Sequence, residues 1–262
     1  MKKRGSITRM FGLAAAASAL CGFAATIASA TPSTQIWIPS TDVQPFKTVH
    51  LNVDTYLRAD GNDDGSRTPP IVVIGPTVGV LPFPKIQAEL GFDVISGGGD
   101  LDKYPLYFHG KLGTPEDSLF PFSPAIAVGG YNFGTKSGDV RKGEIATNQN
   151  LVYGLVAKTF PVVGRLSAGY FTGNKKVLVD GNGRSDENGV LLSWDRTMTE
   201  ISDKLWLAVD YQGTNSGLGA LSFGASWAFA KNVSVILGYD IYNEKKTGGE
   251  NTVTLQVDIN FP

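Results

Sequence analysis

Residues 251–261 read NTVTLQVDINF. Val253, Leu255, Val257, Ile259 and Phe261 alternate without a break against Thr252, Thr254, Gln256, Asp258 and Asn260. That period of two gives a strand one apolar face and one polar face, which it cannot give a helix. Three upstream segments repeat the arrangement. LWLAVDYQG sets Leu205, Leu207, Val209 and Tyr211 against Trp206, Ala208, Asp210 and Gln212. ALSFGASWAFA sets Leu221, Phe223, Ala225, Trp227 and Phe229 against Ser222, Gly224, Ser226 and Ala228, and VSVILGYDIYN sets Val233, Val235, Leu237, Tyr239 and Ile241 against Ser234, Gly238 and Asp240. A continuous apolar face opposite a small or polar one suits a wall with hydrocarbon on one side and water or packed side chains on the other.

Outward from these segments the same period runs through nearly all of the chain after residue 30. It predicts strands at 48–58, 71–82, 85–96, 104–113, 123–134, 147–160, 163–174, 188–199, 203–213, 220–230, 233–243 and 251–261. Soluble strands usually run about 5 to 6 residues, whereas a tilted strand needs about 9 to 11 to cross a bilayer. The expected fold class is therefore all-β: a transmembrane antiparallel up-and-down β-barrel of about 12 strands, with 10 or 14 as alternatives. The connections after strands 2, 6, 8 and 10 are brief, while those after the odd-numbered strands are long, polar and rich in glycine. Short periplasmic turns and long external loops have this pattern. The link TPEDSLFPFS after strand 4 departs from it and is expected to hold a short helix or lie against the barrel base.

The final strand, with its alternating apolar residues finishing in Phe261, resembles the C-terminal signature of Gram-negative outer-membrane β-barrel proteins of the porin-like kind. The resemblance implies an outer-membrane location, outer-membrane lipid as surroundings, and reading of Phe261 by the barrel-assembly machinery. Pro262 after it is a departure from the usual terminal aromatic.

The first thirty residues place Lys2, Lys3, Arg4 and Arg9 ahead of an Ala-rich apolar run that ends at Ala28-Ser29-Ala30, the pattern of a cleaved secretory signal peptide. Domains are accordingly expected as a signal peptide at 1–30, a periplasmic N-terminal segment at 31–47 and the outer-membrane barrel at 48–262. Cleavage would remove the single cysteine, Cys21, and leave 19 Lys and Arg against 24 Asp and Glu. No disulfide framework is expected, and an acidic exported chain gives no reason to expect nucleic acid as partner.

By the same alternation a pore would be lined by Asp54, Arg58, Glu89, Asp93, His109, Lys111, Arg165, Asp210, Asp240 and Asp258, with His50, Tyr56, Gln87, Tyr107, Lys158, Asp195 and Trp206 also assigned inward. Carboxylates outnumber Lys and Arg in this set, which suits a narrow, cation-preferring diffusion pathway. The alternative is a lumen filled by paired charges, in a barrel serving as a structural, adhesive or complex-forming surface protein through its external loops. Inward Gly75, Gly79, Gly91, Gly169, Gly224 and Gly238 favour an opening. No catalytic role is expected, since a Ser-His site needs a suitably placed base and both histidines are assigned to the lumen. No cofactor is expected either. The stretch DGNDDG at 60–65 matches the first half of a calcium loop through Asp60, Asn62 and Asp64, but its twelfth position is Ile71, where the loop needs a bidentate Glu. These residues are read as a turn at a loop tip, with weak divalent-ion binding as the alternative. Oligomeric state is not legible in the sequence.

Overall fold

A computed structural model describes residues 33–61 and 68–262. The predicted signal peptide and the loop residues Asn62 and Asp64 lie outside the described residues. Twelve strands form one closed barrel in which each pairs antiparallel with its neighbours in sequence and the last closes on the first. They are β1 (Val49–Arg58), β2 (Ile71–Gly79), β3 (Gln87–Ser96), β4 (Leu106–Thr114), β5 (Ala125–Gly134), β6 (Asn148–Phe160), β7 (Gly164–Thr172), β8 (Asn188–Thr197), β9 (Leu205–Gln212), β10 (Ala220–Ala230), β11 (Val233–Tyr242) and β12 (Thr252–Phe261). Closure runs over the full length of the seam, from Val49 opposite Phe261 to Arg58 opposite Thr252. No strand edge is left unpaired, which removes the hazard that an open sheet would carry in lipid or in water.

The outer face is apolar. Leu90 is 58% exposed, Leu237 60% and Phe223 44%, and these positions alternate with buried Glu89, Ile236 and Ser222. One end of the barrel carries the shorter connections and the other the longer ones, as the sequence predicts. Two short helices decorate the loop end, α1 (Asp100–Lys103) and α2 (Lys245–Gly248). The link after β4 contains no helix. It is a chain of turns closed by Asp117 N–H to Ser123 O and Ser123 N–H to Phe120 O.

One register differs from expectation. On β6 the buried set is Leu151, Tyr153, Leu155 and Ala157, so Lys158 has outward parity. Its ammonium meets Glu116 at 3.1 Å and Asp117 at 3.0 Å on the turn after β4. Both faces of β6 are apolar, so alternation alone could not choose between them. The charge expected inward lies on the outer face at the turn end.

The largest departure concerns the stretch before β1, expected as a separate periplasmic segment. Residues 33–44 run inside the barrel. From the turn end, where Phe46 pairs with Gly79, the chain, traced backwards, rises into the lumen. It reverses in a tight turn held by Gln35 N–H to Ile38 O at 2.8 Å and Ser40 N–H to Ser33 O at 3.1 Å. The sequence of this turn explains its address. Ile36, Trp37 and Ile38 form an apolar run that water would not favour, and Ile36 and Ile38 are buried to 2% and 0% exposure.

Ile38 joins Leu151, Tyr153, Leu155, Phe171, Leu178 and Leu191 in one interior cluster, and Ile36 joins Trp206, Ala208 and Ile236 in another. Three of the inward glycines, Gly79, Gly224 and Gly238, are seats for this segment. A Cβ on Gly224 or Gly238 would stand 3.2 Å from the Ile36 side chain, and one on Gly79 would collide with the backbone carbonyls of Gln44 and Pro45. The space these glycines leave is therefore filled, contrary to the reading of them as an opening.

Candidate functional site

Polar side chains pointing inward from the wall hold the inserted segment at its backbone. Asp210 on β9 accepts from Ile36 N–H at 2.7 Å and Trp37 N–H at 3.0 Å. Glu89 on β3 accepts from Gln44 N–H at 2.7 Å, and Gln256 on β12 donates to Ile36 O at 2.8 Å. Lys111 on β4 pairs with Glu89 at 3.2 Å and donates to the carbonyls of Ser33, Ser40 and Asp42. Arg165 on β7 bridges Asp42 at 2.6 Å and Asp195 at 2.9 Å, while Asp195 also receives Gln35 Nε2 and Trp206 Nε1. Trp37 stands edge-on to Tyr56 and Tyr242, with its indole N–H donated to Leu218 O. A free tail would strip Asp210 of its two backbone donors and Arg165 of Asp42, while the wall pairs Glu89–Lys111 and Arg165–Asp195 would remain.

The segment occupies one side of the lumen, and loops cap that side. Leu178 of the 173–187 loop drops into the interior cluster. Asp186 binds Thr214 Oγ1 and Asn215 N–H, and Thr247 Oγ1 binds Asn215 O, so three loops interlock over β7 to β12. Below the tip of the 173–187 loop, Asp180 accepts from Asn182 N–H and Arg184 N–H. Its oxygens are thus engaged in a turn.

On the opposite side, against β1 to β5, a cavity of about 410 Å³ remains. It extends from Thr77, Glu89 and Lys111 at mid-wall to Arg58, Leu101 and Gly248 near the loop end, with Trp37 and Pro39 of the inserted segment as its inner wall.

The ten pore-lining residues expected from sequence divide between these two sides. Asp54, Arg58, Glu89, Asp93, His109 and Lys111 line the cavity. Arg165, Asp210, Asp240 and Asp258 do not: the first two grip the segment, Asp240 accepts from Thr252 Oγ1 at 2.7 Å, and Asp258 meets His50 at 3.4 Å. Sequence reasoning missed Trp37, Asp42 and Gln44, which have roles only because the segment enters the barrel. The one available signal was IWIP at 36–39, an apolar run in a stretch otherwise read as tail. Asp60 lies at the start of the first long loop, and among the described residues no group of three or more His, Cys, Asp or Glu could hold a metal ion.

Two glycines shape the cavity wall. A Cβ on Gly91 would collide with the His109 ring, and one on Gly75 would collide with Asp93 Oδ1. His109 therefore lies flat across β3, and Asp93 lies flat across β2 towards Asn52 and Asp54 on β1. His109 Nε2 stands 3.8 Å from Asp93 Oδ2 and 3.5 Å from Thr77 Oγ1, and Asn52 Nδ2 donates to Asp54 Oδ2 at 3.0 Å.

At the loop end, Asp139 caps a 3-10 turn at Val140–Lys142. The Arg141 side chain donates to it at 2.8 Å through both Nε and Nη2. These hydrogen bonds push the Asp139 carboxyl down to about 2. A depressed carboxylate contributes while ionised, so its contribution is intact above the ordinary aspartate range and is lost only as pH falls through about 2. Amide exchange in residues 139–144 is expected to stay unchanged from pH 7 to pH 4 once corrected for intrinsic rates. Loss of protection above pH 4 would contradict the pairing.

No protein-family model and no curated protein matches the chain. Among solved structures it is similar to Salmonella typhi OmpF in complex with daunomycin, at 9% identity and TM-score 0.41, covering 82% of this chain and 96% of that one. It is similar to an outer-membrane channel from Pseudomonas putida F1, at 12% identity and TM-score 0.44, covering 84% and 97%. It is also similar to outer-membrane phospholipase A from Escherichia coli, at 11% identity and TM-score 0.43, covering 84% and 94%. What the chain shares with these proteins is a barrel architecture, and no particular family is identified.

Proposed function

We propose that the protein is an outer-membrane barrel that passes ions or small solutes by diffusion when its N-terminal segment leaves the lumen, and that the state described is the closed one. The apolar outer face and strands of mostly 9 to 11 residues suit a bilayer. Charges concentrate inside, where they avoid the roughly 2 to 4 kcal/mol that a lipid-facing Lys or Arg costs at the midplane. In this reading the turn end is periplasmic, the loop end is external, and the assembly machinery reads Phe261.

The observation that carries the proposal is how residues 33–46 are held: by side-chain hydrogen bonds, an ion pair and the apolar contacts of Ile36 and Ile38 with the wall, with a single bridge at Phe46 to Gly79 as their tie to a strand. Such contacts exchange with water without breaking the barrel ladder.

Planar-bilayer recording tests it. The intact protein is expected to show rare, brief openings, and the protein lacking residues 33–44 steady, discrete steps. A shortened barrel that still migrates as a folded, heat-modifiable band but passes no current would overturn the channel reading. That result would favour the second one, a surface barrel acting through its loops, which the interlocked 173–187, 213–219 and 243–251 loops support.

A further inference from the structure

The cavity brings together carboxyl groups without a Lys or Arg partner and aromatic rings, and it is large enough for a small molecule, since ligand sites begin at about 300 Å³. Five Asp, Glu, Lys or Arg side chains line it. Glu89 and Lys111 neutralise each other at 3.2 Å. Arg58 is drawn to the rim, donating to Gly248 O at 2.7 Å and Glu250 O at 2.5 Å and lying over the Tyr242 ring at 5.2 Å.

That leaves Asp54 and Asp93, neither of which meets a Lys or Arg among the described residues. Asp54 Oδ1 has no hydrogen-bond partner. Asp93 has only the imidazole of His109 at 3.8 Å, too long for a hydrogen bond. Tyr56 stands two residues along β1 from Asp54 on the same wall, and Trp37, Tyr131, Tyr153, Asn132 and Gln149 line the rest of the cavity. Carboxylates and electron-rich rings lining one cavity both attract a cation, and side-chain amides suit hydroxyl groups.

We propose that this cavity is a binding site for a small organic cation, a primary amine on a hydroxylated body, with its ammonium at Asp54 and Asp93. The glycines at 75 and 91 are part of the site, because any side chain there would push Asp93 and His109 off the wall and into the ligand's space. The proposal shares with the channel reading only the idea that solutes reach the lumen. A barrel that never conducts would still bind.

The test is equilibrium binding to the intact protein in detergent, by calorimetry at pH 7, with three sugars of one size that differ in charge: glucosamine, glucose and glucuronate. Glucosamine is expected to bind, glucose about tenfold more weakly, as befits the loss of one charge-assisted hydrogen bond, and glucuronate not at all. Asp54→Asn and Asp93→Asn are each expected to weaken glucosamine by about tenfold while leaving glucose unchanged. Gly75→Val is expected to abolish both, with Gly154→Ala, where nothing lies within 4 Å of the added Cβ, as the folded control. Equal binding of all three sugars, preference for glucose or glucuronate, or no heat with glucosamine at 100 mM would each overturn the proposal.

Discussion

Replacing Asp210 with Ala is expected to release the N-terminal segment from the lumen without unfolding the barrel. The carboxylate is 1% exposed, and its Oδ2 is the acceptor for two consecutive backbone donors, Ile36 N–H and Trp37 N–H. These sit at the reversal of the segment, where no strand can substitute. Each buried donor left without an acceptor costs about 1 to 3 kcal/mol. Losing both therefore shifts the docking equilibrium by at least about 2 kcal/mol, roughly thirtyfold.

Two measurements should move together: the rate at which an added protease cuts within residues 33–44, and the open probability in a planar bilayer. Asp210→Asn retains an acceptor oxygen and is expected to be much milder. If Asp210→Ala leaves both measurements at the intact value, the aspartate does not hold the segment.

The second large effect concerns the pair at the foot of the cavity. Glu89 and Lys111 have side chains 1% and 3% exposed and stand 3.2 Å apart. Lys111→Met strands a carboxylate with no cation beside it, and breaking a buried pair from one side costs about 3 to 5 kcal/mol. It also removes the donor to the carbonyls of Ser33, Ser40 and Asp42. Urea unfolding followed by heat-modifiable gel migration is expected to shift to much lower denaturant. Adding Glu89→Gln should recover part of the loss, because the amide oxygen can still accept from Gln44 N–H. Recovery stays incomplete, since those carbonyls lose their donor in both variants. An additive double variant would mean that the two side chains do not act as a pair.

These two expectations rest on different kinds of legibility. Glu89 and Lys111 were assigned inward from sequence, and on adjacent strands they lie directly opposite one another. Asp210 was assigned inward too, but as a pore liner. Its actual partners are backbone groups of a segment 173 residues away, a relation that no local period records. The same holds for Arg165, whose bridge to Asp42 spans 123 residues.

The alternation in the chain was enough by itself to indicate about twelve strands, their order and the inward parity on ten of them. Each strand must show lipid-compatible side chains on one face and tolerate polar ones on the other, so the pattern is written residue by residue. It failed on β6, where Leu151 and Leu155 face a filled part of the lumen and both faces became apolar. Only the tertiary structure decided what fills the barrel. The wall dictates that inward positions be small, polar or packed, but whether the packing partner is water, a charge pair or the chain's own Ile36, Trp37 and Ile38 depends on contacts between residues far apart in sequence.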